Sequence, residues 1–578
     1  MLELVAEPAD ATLLAEWSAR VERARGHLGW HDEGIVVRPH GLGTSFALAA
    51  PFDQLFTATE VNEWALCSAL AARDPARTEP LRAALAEAAL SQSGPAGTAE
   101  PPEIDEAPAL ARLAELAARE RRERLPGLVA AAEARGLPWL LDDDEFSIGA
   151  GAGCRRWHLD ALPSVPEVPW NELRDVPTAL VTGSNGKTTT VRLVAACLRA
   201  AGLRPGYSCT DGLFVDGEWL ARGDYSGPLG ARTVLREPRV EAAVLETARG
   251  GILRRGLAVA RAGAAVVTNV SADHFGEYGI HDLDSLADVK LTVGAAVAAG
   301  GLLVLNADDP TLRSKAAGLG TRFGRSPRIG WFAGDADAPL LAAHRAGGGA
   351  TCGLRAGRMR LALGGAEHDL GPVERMPLSV AGRAGYNVTN LCAAALAAHA
   401  LGVSPAVIAG VYARFGADAG DNPGRLMCFE RNGVRVIVDY AHNPEGLRGL
   451  LTVAEGFCSG QGRLGLILGH AGNREDADLE RLAETAAEFR PALVVIKEME
   501  GYLRGREPGE VPRILRGALL RCGLPEAALP QRPTELAAAR HALDWARPGD
   551  VVVLPVHSLG ARAEVLSQLQ GEDAGVDE

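Results

Sequence analysis

The chain has 578 residues, which is too long for one hydrophobic core and predicts roughly three or four domains. Hydrophobic residues make up 47% and charged residues 23%, which is an ordinary globular composition, and we see no stretch suited to span a bilayer. The formal charge of −14 disfavours nucleic acid as a partner. The N-terminus lacks a signal-peptide pattern and the nine cysteines form no C-x-x-C pair, so we expect a cytoplasmic protein without a disulfide framework.

The first part of the chain, residues 1–170, is expected to be a distinct N-terminal domain whose role the sequence leaves open. Helical patterns at 9–25 and 109–124 flank a Pro/Gly/Ala-rich segment, 91–108, which is typical of an exposed loop. The acidic run at 142–145 is interpreted as a solvated turn between two strands rather than a metal site.

Apolar strands alternate with helices from residue 176 to about 417, which predicts an α/β domain with a mostly parallel, helix-covered sheet. Short glycine-separated runs at 328–378 indicate an antiparallel flap on this domain, and a helix is predicted to begin near residues 385–390. The clearest strands of the sheet are 178–181, 242–245, 264–267 and 302–305.

A second alternation follows the sequence Asn-Pro-Gly-Arg at 422–425, which is interpreted as a linker. It predicts a smaller, Rossmann-like domain. We therefore place a central domain at 171–422 and a C-terminal domain at 423–578. The predicted C-terminal strands are 434–438, 464–468, 493–496 and 551–554.

A glycine turn, T-G-S-N-G-K-T-T-T at 182–190, joins the strand 178–181 to a helix predicted at 191–201. Backbone N–H groups at such a turn attract an anion, Lys187 adds a full positive charge, and the Thr188 hydroxyl is suited to ligate magnesium beside a nucleotide. The turn is therefore interpreted as a P-loop, although Val181 stands where the common pattern has its first glycine.

Polar residues also follow the next two strands of the predicted sheet. Glu246 ends one strand, and His274 follows the other within N-V-S-A-D-H. In a parallel sheet these ends lie near the turn, so the carboxylate and the imidazole are candidate ligands of a divalent metal beside the phosphates.

Six motifs occur in the order seen in Mur ligases, and we therefore identify a resemblance to that superfamily over residues 172–570. Within the superfamily, the chain resembles most the Mur-ligase-like part of cyanophycin synthetases. Two stretches carry this likeness, the run at 210–228 and K-E-M-E-G-Y-L-R-G-R-E-P-G-E at 497–510. The six motifs are T-G-S-N-G-K-T-T-T, E-T-A-R-G-G, N-V-S-A-D-H, G-Y-N-V-T-N, N-P-G-R and D-Y-A-H-N-P.

The resemblance implies an ATP- and Mg²⁺-dependent ligase of three domains, which activates a carboxylate as an acyl phosphate and joins it to an amine. Thr188 and Glu246 would hold one magnesium and His274 a second, while Lys290 aligns with a lysine that many Mur ligases carbamylate. Catalytic roles would fall to Lys187, Glu246, His274 and Lys290. The implied nucleotide-binding residues are Gly183, Ser184, Asn185, Gly186, Lys187, Thr188, Thr189, Asn390, Arg425 and Asp439, and the implied substrate-binding residues are Thr247, Arg249, His442, Asn443 and Arg474.

Two departures from the family pattern bear on the substrates. About 170 residues precede the glycine turn, so we expect no ATP-grasp module and no cyanophycin synthesis by this chain alone. Asn473 stands where many relatives have aspartate before the arginine, which leaves the amine open. A folylpolyglutamate-synthase-like or cell-envelope ligase is the alternative enzyme, and an ATP-binding partner of a separate ATP-grasp ligase is the non-catalytic alternative. A homo-oligomer is compatible with the sequence.

Overall fold

The structure is a computed structural model that describes residues 2–5, 9–30, 34–40, 43–77, 79–80, 104–272, 275, 279–458, 460, 462–472, 474–499 and 501–571. The chain divides into two compact units. The first consists mainly of residues up to Phe146 with Trp157–Trp170, and the second mainly of Asn171–Phe275 and the residues from Asp282 onward. In these described ranges no helix combines the length and apolarity that crossing a bilayer requires.

In the first unit a small antiparallel sheet packs with helices around a core that includes Trp17 and Phe46. Asp10 caps the first helix, since its carboxylate accepts a hydrogen bond from the N–H of Leu13. Both predicted helices are confirmed with shifted bounds, while most of the predicted loop at 91–108 lies outside the described residues. The elements are β1 Leu2–Val5, α1 Ala11–Leu28, β2 Ile35–His40, β3 Gly43–Leu48, α2 Leu55–Arg73, α3 Glu106–Glu120, α4 Leu125–Glu133 and β4 Trp139–Leu141.

Short strands also occur at β5 (Glu145–Ile148) and β6 (Arg155–His158). The turn between β4 and β5 contains Asp143 and Asp144, whose side chains are exposed. The interpretation of the acidic run as a solvated turn between two strands is confirmed.

The second unit contains an eleven-stranded sheet in its described residues, ordered β10-β9-β8-β11-β7-β12-β13-β14-β15-β16-β17. Pairing is parallel from β8 through β15 and antiparallel at both margins. The strands are β7 Thr178–Thr182, β8 Pro205–Cys209, β9 Gly212–Val215, β10 Glu218–Arg222, β11 Ala242–Glu246, β12 Ala262–Val267, β13 Val297–Asn306, β14 Ile329–Asp335, β15 Ala350–Arg355, β16 Arg358–Leu363 and β17 Ala366–Pro372.

The prediction of an antiparallel flap at 328–378 is only partly correct. β14 pairs in parallel with β13, and β15 in parallel with β14, so this segment extends the central sheet; only β16 and β17 continue it in antiparallel fashion. A helix between β14 and β15 allows the chain to return to the same edge, as parallel pairing requires.

Helices cover the central sheet, and an alanine-rich one is almost fully buried against it because its small side chains allow close packing. This helix, α12, begins at Gly385 as predicted, and the helix after the glycine turn begins earlier than predicted, at Lys187. The helices are α5 Lys187–Ala200, α6 Pro228–Arg236, α7 Arg249–Arg255, α8 Leu283–Leu291, α9 Pro310–Ala316, α10 Leu319–Phe323, α11 Pro339–Ala346, α12 Gly385–Ala400 and α13 Pro405–Tyr412.

A second sheet follows the linker, with the described strand order β18-β19-β23-β20-β21-β22. All its pairs except β18 with β19 are parallel, and apolar clusters cover both faces, which confirms a doubly wound, Rossmann-like arrangement. The predicted α/β fold class is therefore confirmed, whereas the boundaries at 170/171 and 422/423 stay predictions. The elements are β18 Met427–Arg431, β19 Val434–Asp439, α14 Pro444–Glu455, β20 Leu464–Leu468, α15 Asp476–Glu488, β21 Leu493–Lys497, α16 Glu510–Arg521, β22 Gln531–Arg532, α17 Glu535–Trp545, β23 Val551–Pro555 and α18 Leu559–Gln570.

Candidate active site

The glycine turn lies between β7 and α5, at the carboxyl end of a strand in the middle of the central sheet. Two of its glycines have positive φ angles, 148° at Gly183 and 82° at Gly186. A Cβ atom at position 183 would lie 1.8 Å from Thr268 Oγ1, and one at position 186 would lie 2.2 Å from Asn390 Oδ1. Both positions therefore require glycine, because a side chain would be strained and would also collide with neighbouring polar groups.

β11 places Glu246 beside the first turn of α5, because β11 pairs with β7 in parallel and Glu246 aligns with Val181. The Thr188 hydroxyl donates to Glu246 Oε2 at 2.8 Å, and the Thr210 hydroxyl donates to Glu246 Oε1 at 2.9 Å. Glu246 is only 1% exposed, so these two hydroxyls supply part of the solvation that a buried carboxylate needs.

β12 flanks β7 on the other side and supports the glycine turn through the residues that follow it. Thr268 Oγ1 donates to the carbonyl oxygen of Asn185 at 2.6 Å, and Asn269 Oδ1 accepts from the Asn185 N–H at 2.9 Å. Ser184 Oγ donates to the Ser271 carbonyl at 3.1 Å. The backbone of the turn is thus held in one conformation by the neighbouring strand end.

The second sheet reaches the turn through side-chain amides. Asn185 Nδ2 donates to Asn443 Oδ1 at 3.2 Å, and Asn443 Nδ2 donates to Asn185 Oδ1 at 2.9 Å. The linker makes a further contact, since Asn422 Nδ2 donates to the Thr189 hydroxyl at 3.2 Å. The carboxyl end of β19 therefore faces the glycine turn.

A cavity of about 940 Å³, part of which is open to solvent, lies between the glycine turn and the end of β19. The lining residues are Ser184, Asn185, Gly186, Lys187, Thr188, Thr189, Thr210, Glu246, Asn269, Tyr386, Asn387, Asn390, Arg425, Leu426, Asp439, Tyr440, Ala441, His442, Glu445 and Gly446.

Arg425, Asp439 and Tyr440 form the wall of the cavity opposite the glycine turn. The Arg425 guanidinium lies over the Tyr440 ring, 4.2 Å from its centroid. The Asp439 carboxylate accepts hydrogen bonds of 2.7 Å from the N–H groups of Leu426 and Ala441. Burial raises the pKa of Asp439, while Arg425 and the backbone donors act in the opposite direction.

The imidazoles of His470 and His557 fix the backbone that carries His442. His470 Nε2 donates to the His442 carbonyl at 2.7 Å, and His557 Nε2 donates to the Ala441 carbonyl at 3.0 Å. Burial, with Arg474 and His442 acting in the same direction, lowers the pKa of His470 to about 3, so its ring is neutral at physiological pH. His442 itself lines the cavity.

The structure brings many of the predicted site residues to this cavity. Among the described residues, the cavity lining includes Glu246, His442 and all the predicted nucleotide-binding residues except Gly183, which packs closely against Thr268. Five other predicted residues are not part of the lining, and His274 lies outside the described residues. The five are Thr247, Arg249, Lys290, Asn443 and Arg474, each of which is at least 90% buried.

Sequence reasoning missed the roles of Thr210, Asp211, Asn269 and Tyr440. Thr210 and Asp211 follow β8, which was not predicted, so no pattern placed them beside Glu246. Asn269 was noticed only as part of a strand end. The signal that could have found them is their position directly after apolar strands, where parallel sheets place ligand-contacting residues.

The donor set fits a nucleotide with magnesium. The α5 N-terminus and the Lys187 ammonium face the cavity, while a threonine hydroxyl and one carboxylate, at Glu246, lie beside them, as in sites where Mg²⁺ takes its remaining ligands from phosphate and water. The buried Tyr386 hydroxyl lacks a hydrogen-bond partner within the described ranges, so its hydrogen-bonding capacity is unused there. Among those residues no cluster of three or more His, Cys, Asp and Glu is suited to hold a metal without such help.

These features define an α/β protein in which a strand, a glycine turn and a helix of one parallel sheet face a Rossmann-like sheet across a shared cavity. The family model described as the Mur ligase middle domain matches residues 181–398. The model described as Mur ligase, glutamate ligase domain, matches residues 424–555. The chain belongs to the Mur ligase family.

Relatives of known name support this assignment. The chain is similar to the cyanophycin synthetase of Trichormus variabilis, with 35% identity over 396 residues that cover 68% of this chain and 43% of that protein. It is also similar to the UDP-N-acetylmuramate–L-alanine ligase of Kineococcus radiotolerans, with 30% identity over 380 residues that cover 64% of this chain and 70% of that one. The matched region thus spans less than half the length of the cyanophycin synthetase.

Solved structures share the fold. E. coli FolC in complex with DHPP and ADP aligns with a TM-score of 0.51 and 19% identity, covering 68% of this chain and 89% of that one. A Mycobacterium tuberculosis folylpolyglutamate synthase complexed with ADP and AMPPCP aligns with a TM-score of 0.50 and 17% identity, covering 69% of this chain and 92% of that one.

Proposed function

We propose that this protein is a cyanophycin-synthetase-like, ATP-dependent carboxylate–amine ligase of the ADP-forming type, which joins an amino acid or peptide-like acceptor to an amine. One observation carries the proposal: the glycine turn, the Thr188–Glu246 pair and the Arg425–Asp439 wall face one cavity between two sheets. That arrangement supplies phosphate-binding groups on one side and further polar groups on the other. The named relatives include ligases, and the folylpolyglutamate synthase neighbour is complexed with ADP and AMPPCP.

The proposed reaction has two steps. A substrate carboxylate attacks the γ-phosphorus of ATP, so that a carboxylate-to-phosphorus bond forms, the bond to the β-phosphate oxygen breaks and ADP leaves. The substrate amine then attacks the acyl carbon, phosphate leaves, and the nitrogen loses a proton. Phosphoryl transfer depends mainly on positioning and charge neutralisation.

Residues of this chain would serve the first step by binding and orientation. The α5 N-terminus and Lys187 would neutralise phosphate charge, with the Lys187 ammonium now held by the Ser184 carbonyl at 3.0 Å. Thr188 and Glu246 would hold Mg²⁺, which when bound neutralises charge on the β- and γ-phosphates. Asn390 would contact the base, Arg425 the phosphates or ribose, and Asp439 the ribose hydroxyls.

For the other predicted residues we propose metal-binding or substrate-binding roles in the same site. Lys290 is 4% exposed at the end of α8, a helix that packs near α7, and a carbamate there would provide an anionic oxygen ligand. His274 would serve a second magnesium. Thr247, Arg249, His442, Asn443 and Arg474 would line the path of the carboxylate and amine. The second sheet closing on the first would keep water from the acyl phosphate.

The test is a phosphate-release screen of the purified chain with ATP, Mg²⁺ and pairs of amino acids or short aspartate- and arginine-containing peptides. We expect release only when a carboxylate and an amine are both present, with a mass increase equal to amide formation. A Lys187→Ala variant should lose roughly 100- to 1,000-fold in turnover without unfolding, because it removes a charge from the phosphate site. Arg199→Ala is the control, since Arg199 lies at the far end of α5 in an exposed pair with Asp216.

Two outcomes would contradict this function. If Lys187→Ala turned over ATP like the parent protein, the glycine turn would not be the phosphate site. If the chain bound ATP but released no phosphate with any pair, the role would instead be that of an ATP-binding partner of a separate ATP-grasp ligase.

A further inference from the structure

A buried cluster of charges joins three distant parts of the second unit. We call it the Asp211 cluster, and it consists of Asp211, Arg192, Arg425, Arg562 and Tyr440. Arg192 Nη2 donates to Asp211 Oδ2 at 2.8 Å, Arg562 Nη2 donates to Asp211 Oδ1 at 2.5 Å, and an Arg425 guanidinium nitrogen lies 3.5 Å from Asp211 Oδ2. Tyr440 lies beneath two of the guanidinium groups, those of Arg425 and Arg562.

The members of the cluster come from separate elements. Asp211 follows β8 and Arg192 lies in α5, so both belong to the central sheet layer. Arg425 lies in the linker, and Arg562 lies in α18, 351 residues after Asp211. A single carboxylate therefore connects the helix after the glycine turn, the linker and the last helix of the Rossmann-like sheet.

The cluster is deeply buried, and its charges depend on one another. The side chains of Asp211, Arg192 and Arg562 are at most 5% exposed. Burial acts to raise the pKa of Asp211, but Arg425, Arg192 and Arg562 outweigh it and hold that pKa below its usual range. Removing the carboxylate would leave three guanidinium groups close together without their shared counter-ion. Buried charges without a counter-ion strongly destabilise the folded state.

The backbone around the cluster is shaped to admit Arg562. Gly424 has a φ of 70°, and a Cβ atom at that position would lie 2.2 Å from Arg562 Cδ. Arg192 Nη1 also contacts the linker directly, since it donates to Asn422 Oδ1 at 3.3 Å and to the Pro423 carbonyl at 3.4 Å. The linker is therefore held from the α5 side and the α18 side at once.

We propose that Asp211 is a positioning residue that fastens α18 and the linker to the central sheet and thereby holds Arg425 at the wall of the cavity. Arg425 is the member of the cluster that lines the cavity, and its guanidinium is fixed between Asp211 and the Tyr440 ring. The inference rests on the proposed function only in one respect, namely that Arg425 binds the nucleotide. The attachment of α18 and the linker to the central sheet does not depend on any ligand.

The experiment is a double-mutant cycle on the full chain with Asp211→Asn, Arg562→Met and the double variant. Urea unfolding and Mg·ATP affinity by calorimetry are measured for each, with KM for ATP and kcat where turnover exists. We expect Arg562→Met to weaken ATP binding roughly tenfold, the effect of one lost charge-assisted hydrogen bond. KM should rise while kcat changes little, and the two substitutions should be non-additive because they share one contact.

Matched variants separate positioning from general destabilisation. Asp550→Asn removes another buried carboxylate, which pairs with Arg463 at the start of β23, the end of that strand away from the cavity. It should lower stability but leave KM for ATP unchanged. Asp211→Glu keeps the charge and should retain more ATP affinity than Asp211→Asn. Gly424→Ala should displace Arg562 without removing a charge. This variant replaces Asp211→Asn in the experiment if Asp211→Asn does not fold.

The outcomes distinguish this inference from the proposed function. Additive unfolding effects of Asp211→Asn and Arg562→Met would overturn the fastening. Unchanged ATP affinity in Arg562→Met and Gly424→Ala, in a parent protein that binds ATP, would overturn the positioning of Arg425. If the parent protein bound no ATP while the unfolding effects were non-additive, the proposed function would fail and the fastening would stand.

Discussion

Thr188 and Glu246 are joined by a hydrogen bond of 2.8 Å, although 58 residues separate them in the chain. The bond connects the first turn of α5 to the carboxyl end of β11, and it exists because β11 pairs beside β7 in register. In the proposed function this hydroxyl and carboxylate would hold Mg²⁺ together with phosphate oxygens and water.

Glu246→Gln should therefore raise the Mg²⁺ concentration needed for half-maximal ATP binding or turnover by at least roughly tenfold. The amide oxygen can accept from one of the two threonine hydroxyls and the amide NH2 can donate to the other, but the charge that attracts the cation is lost. Glu241→Gln is the matched control, because Glu241 lies just before β11 in an exposed pair with Arg204. A magnesium titration followed by nucleotide binding measures the effect, and equal midpoints for both variants would remove Glu246 from the metal site.

Gly183→Ala should destabilise the second unit by more than roughly 3 kcal/mol, since it combines backbone strain with a collision against Thr268. Gly202→Ala is the control, because it introduces backbone strain without a collision. The φ angle of Gly202 is 89° and nothing lies within 4 Å of an added Cβ, so we expect a loss of about 1 kcal/mol. Denaturant unfolding of both variants measures the difference. Similar losses would mean that the turn relaxes around the methyl group.

The sequence predicted the parts of this site that depend on local pattern. The glycine turn and the Glu246 strand end were predicted because glycine spacing and strand ends are local features that a parallel sheet brings together. The prediction of an antiparallel flap at 328–378 missed the parallel pairing of β14 with β13 and β15, because short strands separated by glycines have the same pattern whether they pair in parallel or antiparallel fashion.

Contacts between the two sheets could not be predicted in this way. The Asn185–Asn443 pair spans 258 residues and the Asp211–Arg562 pair spans 351, and both depend on how the sheets face each other rather than on any spacing. Asp211 was also missed, because β8, the strand that it follows, was not predicted from the sequence.

Glu63 should make the stability of the first unit depend on pH. Burial, with Glu60 acting in the same direction, raises its pKa from 4.5 to about 7. The folded state therefore binds this proton more tightly than the unfolded state, so the contribution of Glu63 to stability is favourable below pH 4.5 and is lost as the pH rises to about 7.

Glu63→Gln should remove that dependence, so the variant should gain about 1 kcal/mol relative to the parent between pH 5 and pH 8, less than the full linkage value because the side chain is partly exposed. Calorimetric unfolding at several pH values measures it. Glu115→Gln, on α3 with a side chain that is 73% exposed, is the control and should run parallel to the parent protein. A parallel profile for Glu63→Gln as well would contradict the shift.

Lys290 provides the most specific chemical prediction of the proposed function. Its side chain is 4% exposed at the end of α8, and a cationic lysine would repel a metal beside Glu246, whereas its CO2 adduct would attract one. Lys290→Ala should therefore lose activity by roughly 100-fold or more, and a small carboxylate such as acetate should restore part of it by replacing the anionic oxygen.

Lys315→Ala is the control for that experiment, because Lys315 lies on the neighbouring helix α9 and pairs with Asp288 at 2.9 Å, so its loss should leave activity and the acetate response unchanged. Native mass spectrometry of the parent protein should show a labile CO2 adduct that is absent from Lys290→Ala. Full activity of Lys290→Ala, together with a parent mass free of any adduct, would show that the lysine serves packing in α8 and that the metal site is completed by other residues.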